Sequence, residues 1–100
     1  MKINRWTAEL NPDFGIIENL FFTEGLEYKE IRVPSGAKIA NQRTTMTEVI
    51  QLVYGELIFN LSGTQFALRS GDRLEVAANT MYSYSNLKAE ESLFLTAYKL

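Results

Sequence analysis

The stretch GTQFALRSGDRLEVAANTMYSYSN, residues 63–86, decides how this chain is read. A turn glycine, Gly63, opens it. An alternating run from Thr64 to Leu68 follows, then the turn pair Gly71-Asp72, then two more runs, Arg73 to Ala78 and Met81 to Ser85. Short β-branched and aromatic runs punctuated by Gly, Asp and Asn are the pattern of antiparallel strands joined by tight turns. The rhythm extends outward. Upstream, Ile3 to Glu9, Ile16 to Thr23, Leu26 to Val33, Thr47 to Tyr54 and Leu57 to Leu61 read as strands, and downstream Leu93 to Leu100 closes the chain. Runs spaced by roughly 8–12 residues predict an all-β fold, a small antiparallel barrel or sandwich. A helix over Thr45 to Phe59 is the main competitor. Its apolar residues form a continuous stripe instead of one helical face, and Gly55 in its middle would cost about 1 kcal/mol. Strand–turn–strand with Gly55-Glu56 as the turn is preferred. Over Phe14 to Phe22, a helical turn competes with the strand reading.

One hundred residues, 46% hydrophobic and 22% charged, describe one domain with one modest core. No linker, repeat or low-complexity stretch divides it. The net charge of −2 and the scattered Lys and Arg argue against nucleic acid. The absence of cysteine excludes disulfides, thiolate metal sites and thiol nucleophiles. The absence of histidine removes the commonest metal ligand and general base, and with it any serine–histidine triad. Nucleotide- and zinc-binding fingerprints are missing, and the strand runs leave no room for a helix-turn-helix. The first residues, MKINRWTAELNPDF, lack the apolar centre of a signal peptide, and no apolar run approaches the ~20 residues that span a bilayer. No membrane association and a cytoplasmic location are expected.

The glycines and one glutamate fall at telling intervals. Gly36 is followed by Gln42, Thr44, Glu48 and Gly55; fifteen residues separate Gly55 from Gly71, and then come Ala77, Asn79, Tyr82 and Asn86. This spacing resembles the two motifs of the cupin superfamily, G(X)5HXH(X)3–4E(X)6G and G(X)5PXG(X)2H(X)3N. The resemblance spans about half the chain, Gly36 to Asn86. Gly36, Glu48, Gly55, Gly71 and Asn86 match in type and place. Gln42 and Thr44 stand at the two histidine positions of the first motif and Tyr82 at that of the second. Ala77 and Asn79 replace the proline and glycine.

The resemblance implies a double-stranded β-helix, or jelly roll, occupying residues 1–100. Strands over 1–35 would precede the motifs of 36–86, and 92–100 would close the barrel. It also implies dimers formed by pairing sheets or exchanging N-terminal strands, so a homodimer using Ile3 to Glu9 and Ile16 to Thr23 is expected. In a barrel, inward and outward side chains alternate. The expected filling is Ile50, Leu52, Leu57, Phe59, Phe66, Leu74, Val76, Leu93 and Leu95. Gln42 and Thr44 share parity, as do Tyr82 and Tyr84. Where metal-binding cupins place three histidines and a glutamate, this chain keeps only Glu48. One carboxylate with weak neutral helpers should not hold a transition metal, so no metal and no cofactor are expected.

Gln42, Thr44, Glu48, Tyr82 and Tyr84 are then candidates for lining a polar pocket that binds a small polar or carbohydrate-like molecule. Glu48 is the sharpest of them. Facing inward it must be paired, hydrated or neutralised, and Arg43, Arg69 and Arg73 are the candidate partners. Glu48 and Tyr82 are also the candidate acid–base pair of a metal-independent isomerase, epimerase or lyase. Against the enzyme stands the plainer reading, that Glu48 reaches solvent at the barrel mouth, or hydrogen-bonds Gln42 and Tyr82 and does nothing else. A structural or interaction subunit is the third possibility.

Overall fold

The computed structural model describes all 100 residues. Two antiparallel sheets face each other. The five-stranded sheet runs β1 (Lys2–Asn4), β7 (Arg73–Val76), β4 (Thr47–Tyr54), β9 (Ser92–Lys99), β2 (Lys29–Val33). The four-stranded sheet runs β3 (Lys38–Arg43), β8 (Met81–Ser85), β5 (Glu56–Leu61), β6 (Thr64–Arg69). Between them lies a core of Ile50, Leu52, Leu57, Phe59, Leu74 and Val76, with Phe66 packed at its margin. These are seven of the nine residues expected to fill the barrel.

Leu93 and Leu95 belong elsewhere. They point to the opposite face of the five-stranded sheet, where Val49, Val53 and Ala97 join them in a second apolar cluster. The reason is strand parity: Phe94 takes the inward place, so its neighbours must face out. β4 and β9 are therefore apolar on both faces, which explains their continuous hydrophobic text.

A helix covers that outer face. Residues Phe14–Thr23 form α1, not the strand expected over Ile16 to Thr23. Asp13 caps it, its Oδ1 accepting from the Ile16 amide at 2.9 Å. Gly25, at φ +72°, ends it, with the Gly25 amide donating to Phe22 and the Leu26 amide to Phe21 at 2.9 Å. Ile17 and Phe21, four apart, are fully buried against the sheet. Each such burial contributes about 1.5–3 kcal/mol. No helix is long and apolar enough to cross a membrane.

The segment expected as a strand over Ile3 to Glu9 pairs only through Lys2–Asn4. Beyond it the chain turns onto the β6–β7 corner. Asp72 accepts from the amides of Trp6 and Arg69, each at 2.9 Å, and from the Arg5 guanidinium at 2.8 Å. Burial pushes the Asp72 carboxyl up, but these donors win and hold it below its ordinary range. The Trp6 side chain packs closely against Gly71. A Cβ there would sit 2.5–2.7 Å from Trp6 atoms, and the backbone holds φ +89°. Both N-terminal segments named as dimer-forming are thus used within the chain.

Gly71 and Gly63 provide a matched test. Gly63 has φ +84°, and a Cβ added there would meet nothing within 4 Å. Gly63→Ala should lose about 1 kcal/mol from backbone strain alone. Gly71→Ala should lose about 3 kcal/mol, because Trp6 must also move. Urea unfolding followed by Trp6 fluorescence measures both; equal losses would mean that the Trp6 contact contributes nothing.

Candidate functional site

Glu48 lies on β4, in the inward column with Ile50 and Leu52. It is 5% exposed. Its Oε1 accepts from the Tyr82 hydroxyl at 2.8 Å, and its Oε2 accepts from the Thr96 hydroxyl at 2.5 Å. None of Arg43, Arg69 and Arg73 reaches it. Arg69 pairs with Glu56, and Arg73 with Glu24. Both carboxyl oxygens are satisfied by neutral hydroxyls, one from each sheet. No buried side-chain polar atom in the chain lacks a partner.

Thr96 carries no signal in the sequence. Its place follows from register: Ile50 pairs with Thr96 and Glu48 with Tyr98, so Thr96 is one diagonal step from Glu48. The diagonal is within reach of a polar side chain.

Tyr82 and Tyr84 stand on β8, both inward and both buried. Their rings, with Phe59, form a stack, centroids 5.2–6.3 Å apart, closed at one side by Phe94. Burial, the hydrogen bond to Glu48 and the Glu48 charge push the Tyr82 phenol far above its ordinary value. Burial and the Glu48 charge also raise Tyr84. Tyr82 is held as a proton donor.

Gln42 pairs in register with Tyr82, and Ile39 with Tyr84. Residues three apart share a face only because a bulge intervenes, with Asn41 at φ 57°. Gln42 is half-buried and its amide donates to the Ala40 carbonyl at 3.2 Å. Thr44 lies past the end of β3, where strand parity no longer applies. It is buried, its hydroxyl donates to the Met46 carbonyl, and its own carbonyl accepts from the Asn79 amide at 2.6 Å. The structure therefore joins Glu48, Tyr82 and Thr96 directly and stacks Tyr84 beside them. It turns the polar groups of Gln42 and Thr44 to their own backbone.

The main surface hollows do not include Glu48. One of about 230 Å³ touches Tyr82 from outside, lined by Asn41, Asn60, Ser62, Met81 and Ser83.

The order of strands in the two facing sheets decides the comparison with known proteins. The chain has the cupin fold. A cupin superfamily protein of Desulfitobacterium hafniense superposes with a TM-score of 0.67 at 9% identity, over 99% of this chain and 76% of that one. CENP-C of Drosophila melanogaster, crystallised bound to CAL1, gives 0.67 at 18% identity over 72% of this chain and 63% of its own. A chain from the crystal structures of two DMSP lyases gives 0.69 at 18% identity over 75% of this chain and 38% of its own. This chain thus spans less than two thirds of the CENP-C and lyase chains. No protein-family model and no curated protein matches the sequence.

The cupin metal is tested directly by these donors. No three of Asp, Glu, His and Cys gather anywhere. Glu48 is the only strong ligand at the four positions, and both its oxygens already accept hydrogen bonds. The residues present do not fit a transition metal.

Tyr82→Phe removes the donor to a buried Oε1 and should cost about 1–3 kcal/mol, read from the urea midpoint. The tyrosines also set a pH limit. Phenol pKa values raised in the folded state mean that the unfolded chain loses protons first as pH rises. Stability from Tyr82 and Tyr84 is then intact below about pH 10 and falls above it. An ultraviolet titration of phenolate should show Tyr82 ionising only as the protein unfolds. Ionisation of all five tyrosines in one step near pH 10, with the fold intact, would contradict this.

Proposed function

We propose that this cupin barrel works by binding without a metal, and that its partner is held on the outside of the barrel. One observation carries the reading: Tyr82 and Thr96 already satisfy both carboxyl oxygens of the buried Glu48, and the Tyr82 ring is itself packed against Phe59 and Tyr84. A group acting as a general base needs a reach of about 3 Å to its substrate. Here the place of that substrate is taken by Tyr82. Glu48 then serves as a bridge between sheets, and the chain as an interaction subunit. The CENP-C protein of this fold, crystallised bound to CAL1, is consistent with such a use of the scaffold. Homodimer formation belongs to the same reading. With the N-terminal segments engaged internally, sheet edges such as those of β2 and β3 offer surfaces for a second copy.

The hollow against Tyr82 favours a second reading, in which a small polar or carbohydrate-like ligand binds there. Tyr82 would swing aside, exposing Glu48 to it beside Gln42, Thr44 and Tyr84. Glu48 and Tyr82 would be the acid–base pair of any reaction.

Thermal shift separates the two. Small polar ligands, sugars and Mn²⁺, Zn²⁺ or Mg²⁺, added singly, should leave the melting midpoint unchanged. A ligand at a hundred times its Kd would add about 2.7 kcal/mol. Such stabilisation, abolished in Glu48→Gln, would move the function into the barrel. Sedimentation at micromolar concentration should show a dimer; a monomer would end the homodimer proposal.

A further inference from the structure

On the side of the molecule away from the barrel interior, two hollows adjoin. One, of about 780 Å³, lies between Leu26, Tyr98 and the C-terminal Leu100. The other, of about 530 Å³, lies between Phe22, Leu26 and Tyr28. Leu26 and Glu27 border both, so the two form one groove divided at those residues. Its apolar walls are unusually open. Phe22 is 80% exposed and Tyr98 46%. Phe22 sits there because α1 spends Ile17 and Phe21 on the sheet and turns the next residue outward.

The groove is also acidic. Glu18, Glu24 and Glu27 line it, and the charge of Glu30 reaches Tyr28. Lys99 is its one lining cation, and it pairs with Glu75 at 3.1 Å. Arg73, behind it, is mostly buried and clamped by both oxygens of Glu24 at 2.7 and 2.8 Å. That clamp lowers the Glu24 pKa. Glu27 is exposed and makes no ion pair. Carboxylates bordering exposed aromatic and aliphatic walls match a cationic partner with apolar anchors.

We propose that this groove docks a short Lys- or Arg-rich segment of another protein. Its apolar side chains would enter the hollows on either side of Leu26, and its cations would meet Glu27 and Glu18. This rests on the reading of the chain as a binding module and names its surface and partner class. An anionic membrane or nucleic acid would be repelled by the same carboxylates. A second copy is a poorer match. The exposed cations Lys38 and Arg43 lie on β3, and β3 against this groove would be a head-to-tail contact, not the self-complementary patch of a two-fold dimer.

The test is an NMR titration of the isotope-labelled full chain with a short synthetic peptide alternating Lys with Leu and Phe. A peptide with Glu for Lys is the control. Expected are shifts at the amides of Gly15, Gly25, Leu26, Glu27 and Tyr98 with the lysine peptide only. Affinity should fall at least tenfold in Glu27→Lys and in Phe22→Ser, while the equal charge change Glu90→Lys, on a distant loop, leaves it unchanged. Both Phe22 and Glu27 are exposed, so these variants keep the fold. Equal shifts with the glutamate peptide, equal weakening by Glu90→Lys, or concentration-dependent shifts of the same amides without peptide would overturn the proposal. Shifts confined to another surface would overturn this groove while leaving the external-binding reading intact. Shifts confined to Tyr82, Tyr84 and their neighbours would overturn both.

Discussion

A buried acid with no cation near it constrains this barrel. Glu48 sits between the sheets, and its oxygens require donors that water cannot supply at 5% exposure. Tyr82 comes from the four-stranded sheet and Thr96 from the neighbouring strand of the five-stranded one. For both hydroxyls to arrive, β8 must face β4 at one height, and β9 must hold its register with β4. A slip of one residue would turn Thr96 outward and leave a carboxyl oxygen unpaired. Apolar packing tolerates small shifts better than this pair of bonds does. The aromatic stack then follows, because Tyr82 held toward Glu48 brings its ring against Phe59 and Tyr84.

The other constraint acts on the far side of the same sheet. β4 and β9 carry apolar groups on both faces, so the outer face needs a cover. α1 supplies it with Ile17 and Phe21, and the cation of Arg73 lies over the Phe21 ring, 5.1 Å from its centroid. Arg73 also reaches Gln51 and Glu24, tying β7, β4 and the end of the helix. A helix of ten residues can cover only part of a sheet. Its exposed side and the edge of β9 leave the acidic, partly apolar groove beside Leu26. Filling the barrel and leaving this surface open are two consequences of one economy of apolar side chains.

The fold is legible in the sequence because its markers are backbone markers. Gly36, Gly55 and Gly71 all have positive φ, and Asn86 ties the β2–β3 turn to the β8–β9 loop through Val33 and Glu90. Such residues keep their spacing whatever the pocket does. The site is legible only in part. Motif spacing names Glu48 and Tyr82, and they do touch. It does not name Thr96, since only β4–β9 register brings it near. Parity groups Gln42 with Thr44, but β3 ends at Arg43, so strand parity does not reach Thr44. The helix α1 escapes a strand-based reading although both of its caps are in the text. Asp13 reads equally as part of a turn, and the dense apolar run from Ile16 to Phe22 hides the spacing of Ile17 and Phe21.

By itself, then, the sequence determined the all-β class, most of the strands and the cupin-like spacing, together with the absence of any histidine that could hold a metal. These are local quantities: alternation, turn residues and composition. Tertiary structure alone decided which face each strand turns inward, what covers the outer sheet and who donates to Glu48. Those depend on register and on contacts between residues as far apart as Glu48 and Thr96, and strand periodicity carries no record of them.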